Sequence, residues 1–249
     1  MRALNRKALA IVVFLLGGVS GLAAPLAPLS PEKLRADGFV SLFDGRTWTG
    51  WDHPADLDGR FEIENGAICI RPNQSKRQKG KPYDLATLKS YRDFELLIDW
   101  RLTGEPKMKA LQVLTDEGLT QLNPEGKILT EPRLNWGNAG IFLRGAASAQ
   151  VNIWCYPWGS GEVGIKYKDM DTTVEERRKT MPRFRADHGP NEWNRFHITL
   201  RGDRVEVILN EMLVVSDARA KPIPATGPLV LQNHNEAAEF RNIYLRELP

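Results

Sequence analysis

Histidine and cysteine are scarce in this sequence, and this limits the metal sites that it can form. The chain has 249 residues, of which four are histidines and two are cysteines. The histidines show none of the short spacings that zinc ligands use; they are His53, His188, His197 and His234. A zinc centre is therefore not predicted, whereas a divalent cation such as calcium, held by loop carboxylates, stays open.

A charge excess of one sign and long apolar runs are also missing from most of the chain. Lysine and arginine number 34 against 31 acidic residues, so the net charge is only +3 and no nucleic-acid partner is predicted. Beyond residue 24 no stretch is long and apolar enough to span a bilayer, so stable membrane insertion is not predicted. No phosphate-binding loop, dinucleotide fingerprint or serine nucleophile elbow is present.

The one long apolar run lies at the N-terminus. Basic residues precede it, it covers residues 8–24, and it ends in small residues. This order is typical of a secretory signal peptide, which we place at residues 1–24. A Pro-rich tether with a short helix is expected over 25–37 and one β domain over 38–249. The sequence thus predicts a secreted or periplasmic protein.

The two cysteines, Cys69 and Cys155, lie in apolar patterns that resemble strands. Export would permit a disulfide. Free cysteine behaves as a small hydrophobic residue, however, and two buried thiols are the preferred interpretation.

Alternating apolar and polar residues recur in short runs from Gly38 onward, separated by turn residues such as Asn65-Gly66. Many short strands without long helices predict an all-β sandwich or jelly roll of antiparallel sheets. Residues 105–136 form a long excursion between strands. Such excursions are often functional, so this one is predicted to wall a binding site.

The strand patterns show one apolar face and one unusual polar face. In the run 151–156, the odd positions, which are Val, Ile and Cys, suit a core. This leaves Asn152, Trp154 and Tyr156 on the opposite face. The same alternation places further polar or aromatic residues opposite core positions, namely Phe142, Arg144, Arg195, His197, Thr199, Gln232 and His234. Aromatic rings stack on sugars while amides and arginine bond hydroxyls, so this face indicates sugar binding. The alternative is a polar face covered by loops, with its groups paired internally.

Several segments, in this order, resemble one family, the 3-keto-disaccharide hydrolase domain. They run from residue 38 to 248 and comprise Gly38–Gly45, Thr49–Trp51, Tyr91–Leu96, Asn138–Arg144, Glu192–Asn194, Gly227–His234 and Phe240–Ile243. The resemblance implies a concanavalin A-like jelly-roll sandwich and export. It also implies action on glycosides whose C3 hydroxyl has been oxidised to a ketone. Such a ketone acidifies the C2 proton, so the C1 oxygen can leave by elimination and water can then add.

This chemistry needs a base, an acid and a donor or cation at the enolate oxygen. Many family members carry Glu-x-Gln where this chain has Gln150-Val151-Asn152, and an amide cannot act as a base. His234 is then the preferred alternative base, because unperturbed histidine titrates near pH 6.5. The nearest carboxylates in the sequence are Glu162 and Asp99.

The resulting hypothesis is an exported enzyme that cleaves 3-keto-glycosides. Arg144 would polarise the keto or enolate oxygen, and His234 or Glu162 would transfer protons. The residues expected to bind the oligosaccharide or glycoside are Asn138, Asn152, Trp154, Gln232 and Asp99. Two alternatives remain open: a non-catalytic carbohydrate-binding domain with the same face, and a structural or partner-binding sandwich.

Overall fold

The structure is a computed structural model that describes residues 26–53, 57, 59–72, 84–115, 119–164 and 172–249. The predicted signal peptide over 1–24 lies outside these ranges. The described residues form helices α1 (Pro31–Ala36) and α2 (Val174–Thr180). They also form fifteen strands: β1 (Val40–Ser41), β2 (Trp51–Asp52), β3 (Phe61–Glu64), β4 (Ala67–Ile70), β5 (Leu85–Tyr91), β6 (Phe94–Leu102), β7 (Lys107–Gln112), β8 (Thr130–Asn135), β9 (Asn138–Phe142), β10 (Gln150–Trp154), β11 (Asn194–Arg201), β12 (Arg204–Leu209), β13 (Met212–Arg219), β14 (Gly227–Asn233) and β15 (Ala238–Glu247).

Two antiparallel sheets pack face to face, which confirms the predicted all-β sandwich. In the described chain, one sheet has the order β13-β12-β11-β6-β15-β4-β3, with β1 also paired to β15, and the other has the order β10-β9-β14-β5-β2. The turn between β3 and β4 matches its sequence signal. Asn65 and Gly66 both have positive φ, 50° and 76°, as a tight hairpin turn requires.

The core lies between the sheets and is built by the alternation seen in the sequence. Phe196 and Ile198 of β11 point into it from one sheet, and Ile141 of β9 and Val151 of β10 point into it from the other. Each of these side chains is fully buried. Burial of a large apolar side chain contributes about 1.5–3 kcal/mol, so this alternation fixes which face of each strand is left outside.

Helix α1 covers part of the outer face of the eight-stranded sheet. It begins after Ser30, whose hydroxyl accepts a hydrogen bond from the N–H of Lys33, and Pro31 occupies its first position. Leu34 of the helix packs with Phe39 and with Leu97 of β6. No helix within the described ranges is long and apolar enough to cross a bilayer.

The excursion over 105–136 contains a hairpin rather than an irregular loop. Strands β7 and β8 pair antiparallel from Lys107 opposite Asn135 to Gln112 opposite Thr130. Two isolated bridges, Leu114 to Thr120 and Leu122 to Ile128, lie between these strands. The hairpin stands at one end of the sandwich, where it contributes to a pocket described below.

Both cysteines are free thiols in the structure. Cys69 is buried in β4, and burial raises the pKa of its thiol to about 11. Cys155 is half-buried, and burial also raises its pKa. Since the thiolate is the reactive form, neither cysteine has the depressed pKa that a nucleophile needs.

Candidate functional site on the amide face

Amide side chains gather on the outer face of the five-stranded sheet. Strand β10 places Val151 and Ile153 in the core, so Gln150, Asn152 and Trp154 lie on the outer side. Strands β9 and β14 expose further residues on this side by the same alternation. We call this surface the amide face and define it by Asn138, Gly140, Gln150, Asn152 and Gln232.

Gly140 lies in the middle of this face, beneath the side chains of Gln150 and Gln232. It pairs with Asn152 on one side and with Gln232 on the other. Above it, the Nε2 of Gln150 donates a hydrogen bond to the Oε1 of Gln232 at 2.8 Å. A Cβ at Gly140 would lie only 2.4 Å from that Nε2. The absent side chain therefore allows the two amides to meet, and the NH₂ group of Gln232 is a donor that this bond does not use.

Glu162 reaches the same face on a segment that extends the sheet beyond β10. The N–H of Asn152 donates to the carbonyl of Glu162 at 2.9 Å, and the N–H of Gly164 donates to the carbonyl of Gln150 at 2.7 Å. Val151 forms a bridge with Val163, whose side chain enters the core. Its neighbour Glu162 consequently projects to the outer side, directly across from Asn152.

Three features hold this segment in place. Gly161 has φ of 112°, and a Cβ there would meet the Val214 side chain at 3.1 Å, so glycine is required for both reasons. Both carboxylate oxygens of Asp187 accept hydrogen bonds from the N–H of Ser160 at 3.1 Å. The amide of Asn152 adds a third contact, because its Nδ2 donates to the carbonyl of Glu162 at 3.0 Å.

Glu162 is the most perturbed acid of this face. Its side chain is 1% exposed, and within the described residues it accepts a hydrogen bond from the Nε1 of Trp158 at 3.2 Å. Burial raises the pKa of this carboxyl to about 8, and the bond from Trp158 opposes that rise only in part. At neutral pH the carboxyl therefore retains its proton, which suits a general acid.

Three aromatic rings border the face beside Glu162. Trp154 is only 5% exposed, and its Nε1 donates to the carbonyl of Gly159 at 3.0 Å. Tyr156 and Trp158 are half-buried and stack with their centroids 4.6 Å apart. Trp154 meets Tyr156 edge-on at 4.7 Å. The accessible stacking surface is thus on Tyr156 and Trp158, with Trp154 as their support.

The structure does not bring Arg144 to the amide face. Its side chain is 3% exposed, and its Nη2 forms an ion pair with Asp93 Oδ1 at 2.6 Å. Its Nη1 donates at 3.0 Å to the carbonyls of Gly202 and Pro224, and its Nε donates to that of Arg92. The guanidinium thus ties together three loops at the other end of the sandwich.

Arg144 lies away from the amide face because the backbone conformation changes after Phe142, and the alternation of residue types does not show this change. Strand β9 ends at Phe142, and Arg144 follows in a 3-10 turn with a positive φ of 51°. The strand period no longer applies after Phe142, so the side chain does not continue the outer face. The predicted role of Arg144 at the reacting oxygen rested on that continuation.

Asp99 also lies elsewhere, on the outer face of the eight-stranded sheet. Its carboxylate accepts bonds from Arg195 Nε at 2.6 Å, Arg195 Nη2 at 3.0 Å and Asn242 Nδ2 at 2.7 Å. On the same strand, Ile98 and Trp100 point into the core. The core separates Asp99 from Glu162, so the single polar face of the sequence analysis is in fact two faces on opposite sides.

The remaining predicted residues are placed near Glu162 or at the end of the face. Asn138 pairs with Trp154, and Gln232 lies across Gly140 from Asn152. His234 is exposed and directly follows the last residue of β14, Asn233. Alternation had placed Tyr156 on this face, but Gln150 and Trp158 were not predicted there. Gln150 shares the alternation of Asn152 and could have been found, whereas Trp158 lies beyond the strand.

No cluster of three or more metal-binding side chains occurs among the residues that the structure describes. The donors gathered on the amide face are neutral amides and one protonated carboxyl, a set better suited to sugar hydroxyls than to a cation.

A two-sheet sandwich that carries amides, aromatic rings and a buried acid on one outer face has the features of a carbohydrate-active protein. The chain belongs to the family of 3-keto-alpha-glucoside-1,2-lyase-like domains, whose model matches residues 38–246. Membership of this family indicates a carbohydrate-active protein.

Individual relatives are distant. The chain is 34% identical over 73 residues to a 3-keto-disaccharide hydrolase from Bacteroides thetaiotaomicron, a match that covers 27% of this chain and 24% of that protein. Among solved structures, a candidate glycosyl hydrolase from Parabacteroides distasonis has 21% identity and a TM-score of 0.56, covering 89% of this chain and 99% of that one. A second structure from the same organism has 15% identity and a TM-score of 0.48, covering 84% and 99%. The first of these supports the sandwich fold.

Proposed function

We propose that this protein is an exported enzyme that cleaves glycosides carrying a C3 ketone, by elimination followed by addition of water. The observation that carries the proposal is Glu162, a buried carboxyl that keeps its proton at neutral pH on the same surface as Asn152, Gln150 and Gln232. Family membership supplies the expected substrate class.

In this mechanism the ketone makes the C2 proton acidic, and a base removes it. We assign this step to His234, at the end of the face. The electron pair then forms the enolate, and the C1–O bond breaks. Glu162 donates its proton to the departing oxygen, so that the leaving group departs as a neutral alcohol.

The amides would bind the sugar and the developing negative charge. The NH₂ group of Gln232 can donate to the keto oxygen as it becomes an enolate, which is the role predicted for Arg144 from the sequence. Asn138 would orient the ring. Asn152 is left out of this role because it is buried and its Nδ2 donates to the carbonyls of Glu162 and Gly164. Arg144 and Asp99 are left out of the proposed site because their side chains form internal ion pairs far from Glu162.

The test is incubation of the purified protein with a panel of 3-keto-glucosides and the matching unoxidised glucosides. We expect release of the leaving alcohol from the keto compounds alone, measured by chromatography. Equal release from both sets, or release from the unoxidised set only, would contradict the keto-specific mechanism.

The stacked pair of Tyr156 and Trp158 favours a second candidate, a non-catalytic sugar-binding domain. Partly exposed rings beside amides are a common way to hold a sugar without cleaving it. The same panel distinguishes the two functions: a binding domain would show affinity by calorimetry for some of these sugars and no product from any.

Export is a separate part of the proposal and has its own expected result. After expression of the chain from Met1, the exported fraction should contain a chain that begins between Ala23 and Leu29, because the small-residue exit lies there. Intact mass spectrometry of that fraction measures the start. An exported chain that retains Met1 would contradict cleavage.

A further inference from the structure

A pocket of about 300 Å³ opens at the end of the sandwich, beside the amide face. Its lining includes Trp136 and Gly137, directly before β9, and Asn235 and Glu236, soon after β14. Strand β7 of the hairpin contributes Lys109. We call this the end pocket. Its volume is at the lower end of the range for small-molecule sites, about 300–1,000 Å³, and suits one sugar ring.

The chemistry of the end pocket favours an uncharged ligand with hydroxyl groups. Lys109 forms an ion pair with the Oε1 of Glu236. The Oε2 of Glu236 is buried and has no hydrogen-bond partner among the described residues. A buried carboxylate oxygen without a donor costs free energy, so a hydroxyl donor that reached it would be favourable. The half-buried indole of Trp136 lies on the same wall.

The charges of the lining balance. Lys107 and Lys109 are offset by Glu105 and Glu236. A carboxylate or phosphate on the ligand would meet Glu236 at close range, since that carboxylate already has its own cation in Lys109. Lys107, by contrast, forms no ion pair among the described residues. The lining thus carries no net charge and offers sugar hydroxyls both acceptors and donors.

The end pocket is continuous with the candidate site. Its lining residue Gly137 directly precedes Asn138, the first residue of β9, and Gly140 is three residues after Gly137. Three strand residues span roughly 10 Å. Gly140 pairs with Asn152, which is directly across from Glu162. Two linked sugar rings could thus occupy the amide face and the end pocket together.

From this arrangement we infer that the end pocket holds the leaving group of the substrate, and that Glu236 and Lys109 bind the hydroxyl groups of a sugar there. The inference rests on the proposed function and adds the specificity-determining residues of that site. Glu236 accepts a hydroxyl of the leaving sugar through Oε2, and Lys109 fixes the carboxylate and donates to a second hydroxyl.

The experiment compares Glu236→Gln with a matched control, Glu239→Gln. Substitution of Glu239 also removes an ion pair, which this residue forms with Arg101 Nη2 at 2.6 Å. Glu239 lies on the outer face of the eight-stranded sheet, however, and does not line the end pocket. Each variant is assayed with the 3-keto derivative of maltose and with methyl 3-keto-α-glucoside. Removing a hydrogen bond to a charged group should lower kcat/KM for the keto-maltose by about 10- to 100-fold, and change that for the methyl glycoside less than about twofold. The control should leave both values within about twofold.

A binding measurement separates this inference from the proposed catalysis. Calorimetry with unoxidised maltose should show weaker binding by Glu236→Gln and by Lys109→Gln, the second variant guarding against misfolding of the first. Loss of binding without turnover of any keto substrate would overturn the proposed reaction and leave the end pocket supported. An equal change on both keto substrates, or no change in either assay, would overturn the role of the end pocket.

Discussion

Replacing Glu162 with glutamine is expected to lower kcat on a 3-keto-glycoside by about 100- to 10,000-fold, the range found for loss of a positioned general acid or base. Glutamine keeps the shape of the side chain and can still accept the bond from Trp158 Nε1. It cannot donate a proton to the leaving oxygen, so the loss should fall on the chemical step rather than on binding. Steady-state kinetics that separate kcat from KM, with circular dichroism as a check on folding, measure this.

The pH profile gives a second readout of the same residue. Because burial raises the pKa of Glu162 to about 8, the wild-type rate should fall as the pH rises above about 8, where the acid loses its proton. The glutamine variant should lack this limb, whereas the Glu239→Gln control should retain it. A variant that keeps both full kcat and the alkaline limb would show that Glu162 is not the acid.

Stability should respond to the same proton. The folded protein binds this proton more tightly than the unfolded chain, in which the pKa is near 4.5. The free energy of unfolding therefore falls as the pH rises from about 4.5 through about 8. Glutamine does not titrate, so the melting temperature of Glu162→Gln relative to wild type should increase between pH 5 and pH 8.

Arg144→Ala is expected to lower the free energy of unfolding by about 3–5 kcal/mol, the typical cost of breaking a buried ion pair by removing one partner. The substitution leaves Asp93 without its cation and the carbonyls of Gly202 and Pro224 without their donor. Arg144→Lys should restore only a small part of the lost stability. The lysine ammonium lacks the planar fork of donors with which arginine reaches these separate acceptors. Urea denaturation followed by tryptophan fluorescence measures the change.

The matched control is Arg204→Ala. Its ion pair with Asp217, at 3.0 Å, is half exposed on both sides, and such pairs contribute about 0–1 kcal/mol. If Arg144→Ala unfolds at the same urea concentration as wild type but has lost turnover, then Arg144 acts at the reacting sugar, as the sequence analysis predicted, and not as a structural tie.

The fold was predictable because the sequence of each strand indicates, by itself, which of its residues are buried. Phe196 and Ile198 alternate with polar neighbours, and the same is true of Val151 and Ile153. A local pattern of period two is sufficient to mark such strands and their inner faces. It also placed Asn152 and Gln232 on an outer face, as the structure shows.

The candidate site was less predictable, because alternation says nothing about which sheet a strand joins. Asp99 and Asn152 both oppose core residues, yet they lie on opposite sides of the sandwich, a property of topology rather than of spacing. Alternation also fails where the backbone leaves the strand, as it does at Arg144. The high pKa of Glu162 comes from burial of its carboxyl in the folded chain, which no linear pattern encodes.

The segment over 161–164 has a consequence for solubility and for engineering. Without it, β10 would be the rim of its sheet, with bare N–H and C=O groups able to recruit a strand from another molecule. The segment closes that rim through the bonds at Asn152 and Gln150. The proposed acid is therefore carried by the strip that shields the sheet from aggregation. Insertions or deletions in this strip should cause the protein to self-associate as well as lose its acid, so redesign of the reaction must leave its backbone intact.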